Sequence, residues 1–150
     1  SAAQCVIVTD IVAIARTWIG TPYVHQGARR GAGCDCLGLL RGVWAEASAS
    51  PLQPVPPYTS DWSEPQGDEV LWQALAHQLI AKPRDAPQQG DVLLFRMRQG
   101  GVAKHVGLQA NTGPHATFIH AYQGHGVRES TFLSPWQRRL VARFSTPERP

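Results

Sequence analysis

Three cysteines and six histidines supply most of the nucleophilic and basic chemistry open to this chain. Cys36 differs from Cys5 and Cys34 in standing at the head of a helical pattern. Leu39, Leu40, Val43, Trp44 and Ala47 repeat at helical spacing, so a helix should begin at or just before Cys36. The approach holds Gly27, Gly31, Ala32 and Gly33 and leaves room for a substrate backbone. Gly38 removes a further side chain where a substrate could pack. A thiol in the first turn of a helix faces unsatisfied N–H groups and the positive end of the dipole. Both favour thiolate, the nucleophilic form. A buried structural thiol fits the same position equally well. Cys36 taken alone leaves both readings open.

A cysteine nucleophile needs a base within reach, and the base needs an orienting partner. His77 falls on an amphipathic helical stretch, and His115 and His125 fall in turns, where solvation is the default. His105 and His120 lie inside alternating, strand-like segments. His105 shares a strand face with Gly107 and Gln109, and His120 shares one with Phe118 and Tyr122. Adjacent antiparallel strands would bring the two imidazoles side by side. Together with Cys36 they make a nucleophile–base–orienter set.

The elements that must position these groups fall into two runs. Thr9 and Asp10 are N-cap candidates for a first helix, whose buried face is Ile11, Ile14, Ala15, Trp18 and Ile19. Gly20 stops it and Pro22 prevents a restart. The Cys36 helix is second. Residues 50–66 carry Pro51, Pro54, Pro56, Pro57 and Pro65 and read as a surface excursion. A third helix is predicted over Asp68–Ala81, with Leu71, Leu75 and Leu79 in one row and Trp72, Ala76 and Ile80 beside it. After Gly90 the period becomes two. Val92–Met97, Lys104–Ala110, Thr117–Tyr122, Val127–Ser130 and Leu140–Phe144 read as strands joined by short glycine-bearing turns. Helices followed by antiparallel strands predict an α+β domain. The expectation is one domain over residues 1–150, with a proline-rich and helical insertion at about 50–85.

Composition narrows the function classes. With 43% hydrophobic and 17% charged residues, the chain of 150 should fold without staples. The net charge of +3 is scattered and gives no nucleic-acid stripe. Three cysteines are an odd number and too few for a disulfide framework. The Cys34–Cys36 spacing is shorter than a zinc knuckle, so no metal and no cofactor is expected. No apolar run reaches membrane-spanning length. The apolar stretch from Cys5 to Ile14 contains Asp10 and lacks a preceding basic segment, so no signal peptide is expected. A target outside the cytoplasm would then need another delivery route.

Several blocks resemble one family in its own order. Trp18-Ile19-Gly20-Thr21-Pro22-Tyr23 and Asp35-Cys36-Leu37-Gly38-Leu39 are similar to the opening of the NlpC family of cell-wall peptidases. Gly90-Asp91-Val92-Leu93-Leu94-Phe95 resembles its first strand after the helices. His105-Val106-Gly107-Leu108 resembles its base motif, and Phe118-Ile119-His120-Ala121 its third-residue motif. The run from Asp35 to Trp44 looks like the branch found in phage tails and gene transfer agents. The resemblance implies a papain-like fold, the nucleophile helix packed on a five- to six-stranded antiparallel sheet. It implies hydrolysis of peptide-stem amides in peptidoglycan, commonly γ-D-glutamyl to a diamino acid.

By position, the resemblance makes Cys36 the nucleophile, His105 the base and His120 its orienter. Tyr23 matches a tyrosine that helps hold the oxyanion, and Asp35 an acid that can receive the free amine of the stem; Asp35 also suits a helix N-cap. Leu37 stands where many members have serine, and Gln26-Gly27 where they have two glycines, both at cleft positions in the family. The implied partners are the stem peptide and phage-like tail proteins, with neither nucleic acid nor membrane. The implied setting is a phage-like particle acting in the periplasm or cell wall. Two other readings stay open: a silent wall-binding or tail-tip module, and an amidase or acyltransferase acting on another amide.

Overall fold

The computed structural model describes residues 11–48, 52, 58, 62 and 67–145. Residues 11–17 form the first helix, α1. A two-stranded ribbon comes next, β1 (Ala28–Arg29) against β2 (Gly33–Cys34), and then α2 (Cys36–Ala47) and α3 (Val70–Gln78). The remaining elements are β3 (Ile80–Lys82), β4 (Val92–Arg96), β5 (Ala103–Gln109), β6 (Thr117–Tyr122), β7 (Gly126–Thr131), α4 (Trp136–Arg139) and β8 (Leu140–Ser145). A 3-10 turn, Gly113–His115, links β5 to β6. The main sheet has six strands in the order β3-β8-β4-β5-β6-β7, with every pair antiparallel.

Strand alternation gives the sheet two buried faces. Val92, Leu94, Val106, Leu108, Ile119, Ala121 and Phe144 face α2 and join the main core with Leu39, Leu40, Val43 and Trp44. Leu93, Phe95 and Phe118 form a smaller core on the opposite face with Phe132 and Leu140, and Trp136 of α4 packs against it. Burial on both faces explains why β4 reads Val-Leu-Leu-Phe without polar alternation.

Close backbone approach fixes α2. A Cβ at Gly38 would collide with the Gly27 carbonyl oxygen, and one at Gly42 would collide with the Trp18 ring. Gly38 therefore makes room for the incoming loop and not for a substrate, which corrects the sequence expectation. Leu37, expected at the cleft, is 2% exposed and belongs to the main core.

Three further expectations change. Ile11, Ala15 and Trp18 are buried as predicted, but helix α1 stops before Ile19, which is 46% exposed. The N-cap candidates Thr9 and Asp10, and Cys5, lie outside the described residues. Helix α3 is shorter than Asp68–Ala81. It ends at Gln78, and Ile80 and Ala81 pair instead with Ser145 and Phe144 of β8. Pairing with the last strand outweighs the helical period, and Ile80 turns outward at the sheet edge. Leu71, Leu75 and Leu79 are buried as one row. The ribbon β1–β2, expected as loop, turns at Gly31, whose φ of +79 suits glycine.

Candidate active site

Helix α2 begins at Cys36, and Asp35 is its N-cap. Asp35 Oδ1 accepts from the Gly38 N–H at 2.8 Å, and Oδ2 accepts from the Gln26 N–H at 2.8 Å. The Tyr58 hydroxyl donates to Oδ2 as well. Asp35 is 2% exposed, so its carboxylate is filled from within the chain. Gln26 sits at φ +61, left-handed backbone that favours glycine, which accounts for glycine at this place in the family pattern. Its side-chain amide donates to the Tyr58 carbonyl at 2.8 Å, and the ring of Tyr58 stacks on Trp62 at 3.9 Å.

Strand β5 meets Cys36 where the sheet opens. Pairing between β5 and β6 covers Gly107↔His120, Leu108↔Ile119 and Gln109↔Phe118 and no more. The β5–β6 ladder thus stops short of residues 103–106, and Cys36 lies against that stretch of β5. Its Sγ lies 4.0 Å from the Lys104 carbonyl oxygen and receives a hydrogen bond from the Val106 N–H. The sulfur contacts the backbone on both sides of His105.

The register also joins the histidines. His105 and His120 share the sheet face opposite α2, and His105 Nε2 is 2.8 Å from His120 Nδ1. His120 Nε2 is in turn 2.9 Å from Ser130 Oγ on β7. A consistent set of protons has His105 Nε2–H donating to His120 and His120 Nε2–H donating to Ser130. His105 is boxed by Phe95, Tyr122 and Trp136, with ring centroids 5.9, 5.8 and 5.4 Å away.

Burial governs protonation here. It pushes the Cys36 thiol up to about 12, aided by the charge of Asp35 and opposed by the N–H groups of Val106, Leu37 and Cys36 itself. Burial also holds His105 well below its usual range, with His120 and Arg139 adding to the shift. His120 is lowered to about 3, by burial and by Arg128 and His125. Burial thus opposes the thiolate preference expected at the helix start and favours thiol beside neutral imidazole. Tyr23, bridged to Cys34, is raised by burial and by Cys36 and Asp35, so it stays a phenol able to donate. Cys34 is a free thiol, fully buried in β2 and raised to about 12.

Sequence reasoning missed Ser130, Tyr58 and Trp136. Ser130 lies on the predicted strand beside His120, but that register comes from pairing with β6. Tyr58 falls in a proline-rich stretch without periodicity, and Trp136 in a helix of four residues.

A helix-start thiol set against an antiparallel sheet that carries buried imidazoles defines a papain-like α+β protein. The chain belongs to the NlpC/P60 family, whose sequence model matches residues 20–144. The NlpC/p60 domain of the peptidoglycan hydrolase SagA shares the fold, with a TM-score of 0.65 and 22% identity over 93% of this chain and 98% of that one. A lipoprotein-like NLP/P60 family protein of Staphylococcus aureus matches with a TM-score of 0.64 and 23% identity. An NlpC/P60 family protein of Bacillus cereus matches with a TM-score of 0.62 and 20% identity. Both cover 93% of this chain, which spans 41% and 40% of their respective lengths. No curated protein matches the chain.

Proposed function

We propose that this chain is a cysteine peptidase that hydrolyses peptide-stem amides of bacterial peptidoglycan, at the bond from γ-D-glutamyl to a diamino acid. One observation carries the reading: the Cys36 sulfur rests against the backbone on either side of His105, whose ring is held by His120. His120 engages Nε2 of His105, which leaves Nδ1 for the thiol proton. In this mechanism Cys36 Sγ attacks the amide carbonyl as its proton passes to His105. The Cys36 N–H and the Tyr23 hydroxyl stabilise the oxyanion. His105 then gives the proton to the leaving amine, and a thioester remains. Water, deprotonated by His105, hydrolyses the thioester and restores the thiol.

Asp35 has a structural part beside the one its position in the family suggests. Its carboxylate is engaged by Gly38, Gln26 and Tyr58, so it acts first by fixing the helix start and loop around Cys36. A stem amine would reach it by displacing the Tyr58 hydroxyl.

The reading treats the chain as one peptidase domain, with the segment at about 50–85 as an insertion. Family membership and the fold shared with the SagA domain support the substrate class. The run from Asp35 to Trp44 supports carriage by a phage-like tail that must cross a cell wall.

Digestion of purified peptidoglycan followed by mass spectrometry of the fragments tests the proposal. Wild-type protein should release stem fragments that begin with the diamino acid and leave glycan-bound stems ending at D-glutamate. Cys36→Ala should release none while melting at the same temperature. Equal product from the two proteins would sink the mechanism. A folded wild type that cuts no wall chemotype would favour the silent wall-binding module.

A further inference from the structure

A cavity of about 760 Å³ opens on the sheet face opposite α2, and neither Cys36 nor His105 lines it. Its size suits a small ligand. Gln109, Phe132, Leu140 and Arg143 form part of its wall, with Arg84, Asp85 and Gln137 among the remainder. Arg143 is 3% exposed and tightly held. Its Nε donates to the Arg84 carbonyl at 3.0 Å, and its Nη1 donates to Asp91 at 2.9 Å and to Gln109 Oε1 at 3.0 Å. Nη2 takes part in none of these bonds.

Among the described residues, the charges around Arg143 are unbalanced. Asp91 is one carboxylate shared by two cations, because Lys82 Nζ also lies 3.0 Å from both its oxygens. Arg84 adds a third positive charge at the exposed rim, and Asp85 offsets one. A buried guanidinium with incomplete compensation attracts a counter-ion when a cavity gives access to it. A planar group clamped at Nε and Nη1 is also already oriented for an oxyanion.

The geometry points to a second binding site here, for a carboxylate or phosphate carried on a body with some apolar surface. The oxyanion meets Arg143 Nη2 and Arg84, with Gln137 beside them, and Phe132 and Leu140 face the body. The cell wall offers two sources of such a group: the free carboxylates of stem peptides and the phosphates of wall polymers. The site stands apart from the hydrolytic reading, since binding is measured without turnover.

The test titrates full-length Cys36→Ala protein, labelled at arginine side chains, with D-alanyl-D-alanine and separately with glycerol 3-phosphate. We expect saturable shifts of the Arg143 and Arg84 Nε resonances. Arg84→Gln should weaken binding at least tenfold, whereas Arg138→Gln, outside the cavity, should leave it unchanged. Saturation by the dipeptide assigns the site to peptide carboxylates, and saturation by the phosphate assigns it to wall polymers. The proposal is overturned if neither probe saturates, or if Arg84→Gln and Arg138→Gln behave alike.

Discussion

At Cys36 two influences oppose each other. The helix start offers N–H groups that favour thiolate, while burial and the adjacent Asp35 carboxylate favour thiol, and the latter win. His105 is likewise kept neutral by burial. In the proposed mechanism both groups thus start as thiol and neutral imidazole across the neutral range. His105 is lowered, so it loses its base form only as pH falls below about 6.5, the ordinary imidazole value. Cys36 is raised to about 12, so its proton is retained far into alkali. A pH–rate profile of kcat/KM should show a plateau with an acid limb below about 6.5 and no alkaline limb near the ordinary thiol value of about 8.5. An alkaline limb between those two values would contradict the neutral resting pair. Ser130 fixes the far end of the histidine relay by accepting from His120. Ser130→Ala should lower kcat by about tenfold, equivalent to about 1.4 kcal/mol and typical of one lost hydrogen bond, with KM unchanged. Ser130→Thr retains the hydroxyl and should recover most of the rate.

Among the elements, α2 and the loop before it are assembled around one carboxylate. Asp35 caps the helix, closes on the left-handed Gln26 and receives Tyr58 from the proline-rich segment. Asp35→Ala removes the cap and strands buried donors at Gln26 and Tyr58. It should cost about 2–4 kcal/mol of stability, read by denaturant unfolding. Both the cap and the helix start were legible, because Asp35-Cys36 precedes an unbroken helical period. The closing contacts were not, since Tyr58 comes from a stretch with no periodic pattern. Helix α3 marks the same limit from another side. Its leucine row was readable, but its end was set by β8 pairing with Ile80–Lys82.

Across the whole molecule, Asp91 ties three strands of the sheet together. It accepts from Lys82 on β3 and Arg143 on β8 at the start of β4, and it is fully buried. Asp91→Asn leaves two cations without their carboxylate and should destabilise the fold by about 3–5 kcal/mol, measured by chemical denaturation. The local sequence determined a good deal: the α+β class, the start of α2 and five of the six main strands, and it put forward Cys36, His105 and His120 as the candidate set. Those properties arise from periodicity, capping and residue chemistry, which act over a few neighbouring positions. Tertiary structure decided the rest. It ended the β5–β6 ladder at Gly107↔His120, short of the stretch that Cys36 lies against, and placed Ser130 behind His120. It filled the Asp35 carboxylate with Tyr58, and buried thiol and imidazole deeply enough to keep both neutral. Register, burial and charge state depend on residues brought together from distant parts of the chain, and no local pattern encodes them.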